Sequence, residues 1–138
     1  DTLELIRRET SARLEVTTLL IPGANDSEAE IAELAGWILA RLGPDVPVHF
    51  SAFHPMHRLA DIPPTPPRLV RRAREIARGL GLHHVYTGNV ADDGGGDTLC
   101  PRCGKTTVAR SGFCVTSMHL TPDGACGFCG ADCAVKMA

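Results

Sequence analysis

Two copies of one short pattern constrain this chain more than anything else in it. Cys100-Pro101-Arg102-Cys103-Gly104 and Cys126-Gly127-Phe128-Cys129-Gly130 are both C-x-x-C-G turns. In such a turn the two thiolates converge on one side. The glycine that follows can take a positive φ that a Cβ would penalise, so backbone N–H groups approach the sulfurs. Two turns joined by residues 104–125 bring four soft anionic ligands together, which suits tetrahedral Zn²⁺. The intervening stretch, Thr106 to Leu120, has the β-branched content of a hairpin. The expectation is a zinc ribbon over residues 98–138 with Cys100, Cys103, Cys126 and Cys129 as ligands. Four cysteines close the coordination sphere, so the metal is structural rather than catalytic.

All six cysteines lie from Cys100 onward. A disulfide-stapled secreted domain spreads its bridges over the fold, so clustered thiols point to metal in a reducing, cytoplasmic compartment. Four thiolates alone do not separate zinc from a rubredoxin-like iron site. Cys114, mid-hairpin, reads as a small apolar filler. Cys126, Cys129 and Cys133 spell C-x-x-C-x-x-x-C, a possible iron–sulfur trio, but the first two are better used by the ribbon. The net charge is −2, and from Thr98 onward four basic residues stand against two acidic ones, a local +2. Both values argue against a nucleic-acid partner. With 43% hydrophobic and 22% charged residues the composition is globular. The longest apolar run, Val16 to Pro22, is broken by threonines and too short to span a membrane. The chain opens Asp1-Thr2-Leu3-Glu4 without a basic leader or an initiator Met, which suggests a truncated piece.

Residues 1–90 carry a different rhythm. Asp1 to Arg13 reads as the end of an amphipathic helix with Leu3, Ile6 and Leu5 on its apolar side. Leu14 to Ile21 is a strand, and Ser27 with Glu30 is a capping box opening a helix to about Leu42, with Ile31, Leu34, Ile38 and Leu42 on one stripe. Val48 to Phe53 is a second strand. Thr65 is the expected N-cap of a third helix, with Pro66 at its first position and Leu69, Ala73, Ile76 and Leu80 on its inner stripe. His84 to Thr87 is a third strand. This α-β-α-β-α-β order means a parallel sheet, or part of a barrel, with right-handed crossovers. Residues 91–97 (ADDGGGD) read as a flexible acidic linker. Ligands of such folds collect at the C-terminal strand ends, here marked by Asn25, His54 and Asn89. Turn chemistry is the preferred reading of Asn25. Glu15 and Thr17 share a strand face that would point into a barrel lumen. Arg71, Arg72, Arg74 and Arg78 read as a solvated helix face, and Trp37 falls off its stripe.

The segments LEVTTLLIPGANDS, HFSAFHP, IPPTPP with its following helix, VYTGNV, CPRCG and the terminal CGFCG occur in this order over essentially the whole chain. Together they resemble the AmmeMemoRadiSam-system radical SAM enzymes, relatives of the pyruvate formate-lyase activating enzymes, and only the C-terminal portion of such an enzyme. The resemblance implies a partial (β/α) barrel, or partial TIM barrel, that binds a [4Fe–4S] cluster and S-adenosylmethionine and forms a 5′-deoxyadenosyl radical. It implies a nucleoside contact for His54 and ribbon ligation for Cys100, Cys103, Cys126 and Cys129. The missing N-terminal part of the same barrel and an electron donor are the implied partners. The family's C-x-x-x-C-x-x-C cluster motif is absent from these 138 residues, so the chain alone is expected to be inactive and to expose an unpaired sheet edge. His57 and Cys114 stand where the family leads one to expect other residue types and receive no role. The competing expectation is a non-enzymatic zinc-ribbon adaptor or binding module whose β/α part is a scaffold.

Overall fold

The structure is a computed structural model that describes residues 2–91 and 94–135. The fold is mixed α/β, in two compact units, Asp1–Ala91 and Asp92–Ala138, each with a sheet of its own.

In the first unit, α1 (Thr2–Glu9), β1 (Val16–Leu20), α2 (Glu28–Arg41), β2 (Val48–Ala52), α3 (Pro67–Gly79) and β3 (Val85–Gly88) follow one another. The strands form a three-stranded parallel sheet in the order β1-β2-β3, in register Val16↔Val48↔Val85. Alternate residues sort the two faces. Leu20, Val48, Phe50, Ala52 and Val85 pack against Ile31, Ala35 and Ile38 of α2 and Val70, Ala73 and Ala77 of α3, forming one buried core. Leu3 of α1 packs against this same core. The opposite face holds Glu15, Thr17, Leu19, His49, Ser51, Tyr86 and Gly88, none of them buried. A parallel strand covered on both faces would be apolar throughout; these strands are apolar on one face and largely polar on the other.

Several local expectations are corrected. Helix α1 stops at Glu9 rather than Arg13 because the Thr10 hydroxyl turns back to the Ile6 carbonyl (2.8 Å) and accepts from Ala12 N–H (3.2 Å), competing with the helix ladder. Ser27 does cap α2, accepting from Glu30 N–H at 3.3 Å, but the Glu30 carboxylate takes the Ser27 hydroxyl (2.5 Å). Thr65 does not cap α3. Pro66 occupies that position without a side-chain bond, and Thr65 is buried between strands. The inner stripe of α3 is Val70, Ala73 and Ala77, while Leu69 and Ile76 flank it half-buried and Leu80 is exposed at the helix end. Trp37 packs half-buried against the core edge.

In the second unit, β4 (Thr98–Leu99), β5 (Thr106–Ser111) and β6 (Cys114–Met118) make an antiparallel sheet in that order. The hairpin expected over Thr106–Leu120 is the β5–β6 pair. Of the expected linker, Gly94–Asp97 are fastened to β5. Asp97 accepts from Arg110 N–H (2.8 Å) and the Arg110 guanidinium donates to Gly96 O (2.8 Å). Residues 92 and 93 of that linker lie outside the described residues, as do Asp1 and residues 136–138. Cys114 is not a filler: it is exposed at the start of β6.

Candidate metal centre

The two cysteine turns are built alike. Cys100 N–H donates to Lys105 O (2.9 Å) and Gly104 N–H to Cys100 O (2.9 Å). At the other turn Cys126 N–H donates to Ala131 O (2.8 Å) and Gly130 N–H to Cys126 O (2.8 Å). Gly104 and Gly130 close these loops at φ 71° and 70°, where a side chain would be strained. Each turn thus presents one buried thiol, Cys100 or Cys126, and one exposed thiol, Cys103 or Cys129.

The four sulfurs lie within 4.8 Å of one another. Cys100 Sγ is 3.6 Å from Cys129 Sγ, and Cys103 Sγ is 3.8 Å from Cys126 Sγ. A tetrahedron with metal–sulfur bonds near 2.3 Å has sulfur–sulfur edges of about 3.8 Å, so the thiols stand where a tetrahedral ion would hold them. They form a four-cysteine cluster that could bind a metal such as zinc. Among the described residues no other group of three or more Cys, His, Asp or Glu side chains does so.

The thiols divide their protons unequally. Burial opposes ionisation of Cys100, but the N–H groups of Cys103 and Arg102 and the neighbouring thiols outweigh it and bring its pKa down to about 6. The N–H of Ala131 favours the Cys129 thiolate, yet desolvation and the adjoining Cys100, Cys103 and Cys126 push that thiol up to about 11. One negative charge is easy to place here and the later ones are not, until a cation joins them. Cys133 is fully buried beside Cys100 and Cys126 and packed by Leu120, Ala131 and Val135. Burial, then the neighbouring thiolates, push it up to about 12. It stands beside the four-sulfur group and outside it.

Four neighbours, Lys105, His119, Gly127 and Phe128, pack around the second turn. A Cβ on Gly127 would lie 2.9 Å from the His119 carbonyl, to which Gly127 N–H already donates at 2.8 Å, so the second turn sits tight against the residue after β6. The Phe128 ring meets His119 at 5.0 Å and carries the Lys105 ammonium at 4.8 Å.

At the C-terminal strand ends of the first unit, side chains take over from the ladder. Thr65 hydroxyl accepts from Phe53 N–H (2.9 Å) and donates to Leu20 O (2.5 Å), joining β1 to β2. Asn25 accepts from Ile21 N–H (2.7 Å) and donates to Leu19 O (3.0 Å). Asn89, at φ 58°, donates to Ala52 O (3.3 Å), joining β2 to β3. Asn25 and Asn89 therefore serve backbone closure. His54 is exposed beside them, its Nε2 3.3 Å from Asn89 O. His57 lies in a single 3-10 turn at φ 50°. On the polar face, Glu15 Oε2 is 2.9 Å from His49 Nε2, and the His49 ring stacks on Tyr86 with centroids 5.1 Å apart. Sequence reasoning found Glu15 and Thr17 there but missed His49 and Tyr86. The alternation Val48-His49-Phe50-Ser51 was the available signal.

Compared with known proteins, the chain is 37% identical over 118 residues to the uncharacterized protein MJ0808 of Methanocaldococcus jannaschii. The match takes in 85% of this chain and 35% of the archaeal protein. The chain thus spans about a third of the length of that relative. No family model matches it, and no solved structure does. Among the described residues no helix is long and apolar enough to cross a membrane.

Proposed function

We propose that this chain is the C-terminal part of a radical SAM enzyme of the AmmeMemoRadiSam-system type: three β/α units of a partial barrel followed by a zinc ribbon. The observation that carries the reading is the winding of the first unit. Its strands advance in one direction, β1 to β2 to β3, with all three helices against one face and a largely polar face opposite. A doubly wound sheet places helices on both faces; a barrel sector places them on one and turns the other to the lumen.

The free strand edges support the same reading. Val16 N–H donates to Pro47 O, so the backbone groups of Thr17 and Leu19 point away from β2. At the far side of the sheet Val48 N–H donates to His84 O, so Val85 O points outward, where the Arg74 guanidinium takes it at 2.9 Å. On β1 the outward Leu19 carbonyl is likewise taken, by the Asn25 amide at 3.0 Å, so it is at Thr17 that the backbone faces outward from the sheet. In this reading the part of the barrel that precedes α1 pairs with β1, and it brings the cysteines that hold the [4Fe–4S] cluster. The four thiols Cys100, Cys103, Cys126 and Cys129 are spent on structural zinc, in keeping with a reducing, cytoplasmic setting.

A [4Fe–4S] cluster held by the preceding part of the barrel would supply the one-electron reduction that cleaves S-adenosylmethionine to methionine and a 5′-deoxyadenosyl radical. From this chain, His54 projects at the strand ends and makes one contact to the nucleoside. Its replacement by Ala weakens S-adenosylmethionine binding by roughly 1–2 kcal/mol, the scale of one hydrogen bond or stacking contact. The test is anaerobic incubation with iron, sulfide, dithionite and S-adenosylmethionine. A polypeptide that carries this chain behind a C-x-x-x-C-x-x-C segment should release 5′-deoxyadenosine, and the 138-residue chain should release none. No product from the longer polypeptide with a full cluster would return the chain to the class of zinc-ribbon adaptors.

A further inference from the structure

The polar face of the parallel sheet is more ordered than a solvated face requires. At one level, three neighbouring strands contribute Thr17, His49 and Tyr86, which stand in register. The Glu15 carboxylate can only accept a hydrogen bond, so at 2.9 Å from His49 Nε2 it holds the neutral imidazole in the Nε2–H tautomer. Nδ1 is then the basic nitrogen, and no hydrogen bond to it is recorded among the described residues. Stacking on Tyr86, at 5.1 Å and an interplanar angle of 27°, fixes the plane in which that lone pair points.

One level toward the strand ends β1 carries Leu19, while on β2 and β3 the side chains become short. Ser51 stands beside Gly88, and a Cβ at Gly88 would lie 2.5 Å from Ser51 Oγ. The hydroxyl therefore occupies the space above Gly88, and on β2 and β3 the side chains step down from His49 and Tyr86 to Ser51 and Gly88. The residues of β1, β2 and β3 that face this side include no Lys, Arg, Asp or Glu, and Glu15, just before β1, supplies the carboxylate. Its charge repels anions and favours neutral or cationic molecules.

We propose that this face binds a small neutral or cationic molecule rich in hydroxyl or amino groups, with His49 Nδ1 accepting a hydrogen bond from it. Glu15 and Tyr86 are positioning residues that fix the tautomer and plane of His49; Ser51 and Thr17 supply hydroxyls at the same surface. The proposal rests on the barrel reading, in which this face lines the lumen, and it names the class of molecule that occupies it.

The experiment uses the full chain and the probe 2-amino-1,3-propanediol, followed by ¹⁵N NMR of the histidine side chains and by amide shifts. His49 is expected to show a pyridine-like Nδ1 and a protonated Nε2. The probe should shift Nδ1 and the amides of Thr17, Ser51 and Tyr86 in a saturable way. Glu15→Gln should mix the two tautomers and weaken the response about fivefold, the worth of one neutral hydrogen bond, and His49→Phe should remove it. A protonated Nδ1, a response unchanged in His49→Phe, no saturable response, or a stronger response to glycerol 3-phosphate would overturn the proposal. The measurement needs neither cluster nor S-adenosylmethionine, so its failure and a failure to release 5′-deoxyadenosine are told apart.

Discussion

Replacing Cys126 and Cys133 one at a time separates ligation from packing at two thiols that are both fully buried and share a cluster. Cys126→Ala removes one of four sulfurs whose spacing matches a tetrahedral site. The unit around it has little else to hold it: among the described residues its other buried side chains are Thr98, Cys100, Thr107, Val108 and Cys133. Structural zinc contributes on the order of 10 kcal/mol to modules of this kind, far more than so small an apolar core supplies. Cys126→Ala should therefore abolish stoichiometric metal and unfold the second unit. Cys133→Ala deletes one buried sulfur held by apolar neighbours and a 3.7 Å contact to Ala131 O. The loss is about 1–2 kcal/mol, that of one or two buried methylenes with their cavity. Metal content should stay at one ion per chain. The assay is elemental analysis beside the absorption of the cobalt-substituted protein, whose tetrahedral thiolate bands report ligand number. Metal lost from Cys133→Ala and kept by Cys126→Ala would refute the assignment.

Three further expectations follow from the geometry. Metal ligation displaces protons from thiols such as Cys129, whose pKa is raised to about 11 without metal, so affinity should rise with pH toward that value and fall on acidification, as a chelator competition at several pH values would report. Thr65→Val strips the hydroxyl that serves both Phe53 N–H and Leu20 O and leaves two backbone groups unpaired in a buried place, which should cost roughly 2–4 kcal/mol in denaturant unfolding; a loss below 0.5 kcal/mol, within the range of a surface change, would refute that bridge. Thr17→Pro removes an N–H that points away from β2 and should leave the fold intact while suppressing edge-to-edge self-association, whereas Thr18→Pro removes a ladder bond and should destabilise the sheet; light scattering and circular dichroism on the pair check both.

The cysteine turns and the order of helices and strands were legible because each rests on local chemistry: a C-x-x-C-G spacing, a serine cap, a hydrophobic period. Thr65 was not. Threonine before Pro66 and Pro67 has the local form of an N-cap, but its hydroxyl was worth more between two diverging strands, where Leu20 O and Phe53 N–H had no other partner close in sequence. The stripe of α3 was misjudged in part. Leu69, Ile76 and Leu80 are the larger residues, yet against the sheet it is Val70 and Ala77, with the expected Ala73, that are buried. Cys114, read as an apolar filler, is exposed, since position relative to a hairpin turn decides exposure and residue type does not. His49 and Tyr86 lie 37 residues apart and meet only through strand register, which no single stretch of sequence contains.

The alternation of buried and exposed thiols within each turn gives the four-cysteine cluster a front and a back, and this bears on how fast an ion bound there would leave rather than on how tightly it would be held. Cys100 and Cys126 are closed off from water, while Cys103 and Cys129 face it. An incoming chelator, electrophile or competing ion would meet the Cys103–Cys129 edge first, and these two arms would detach before the inner pair. Exchange of a bound ion would then pass through a state held from behind by two sulfurs, and would accelerate with chelator concentration instead of waiting for the unit to unfold.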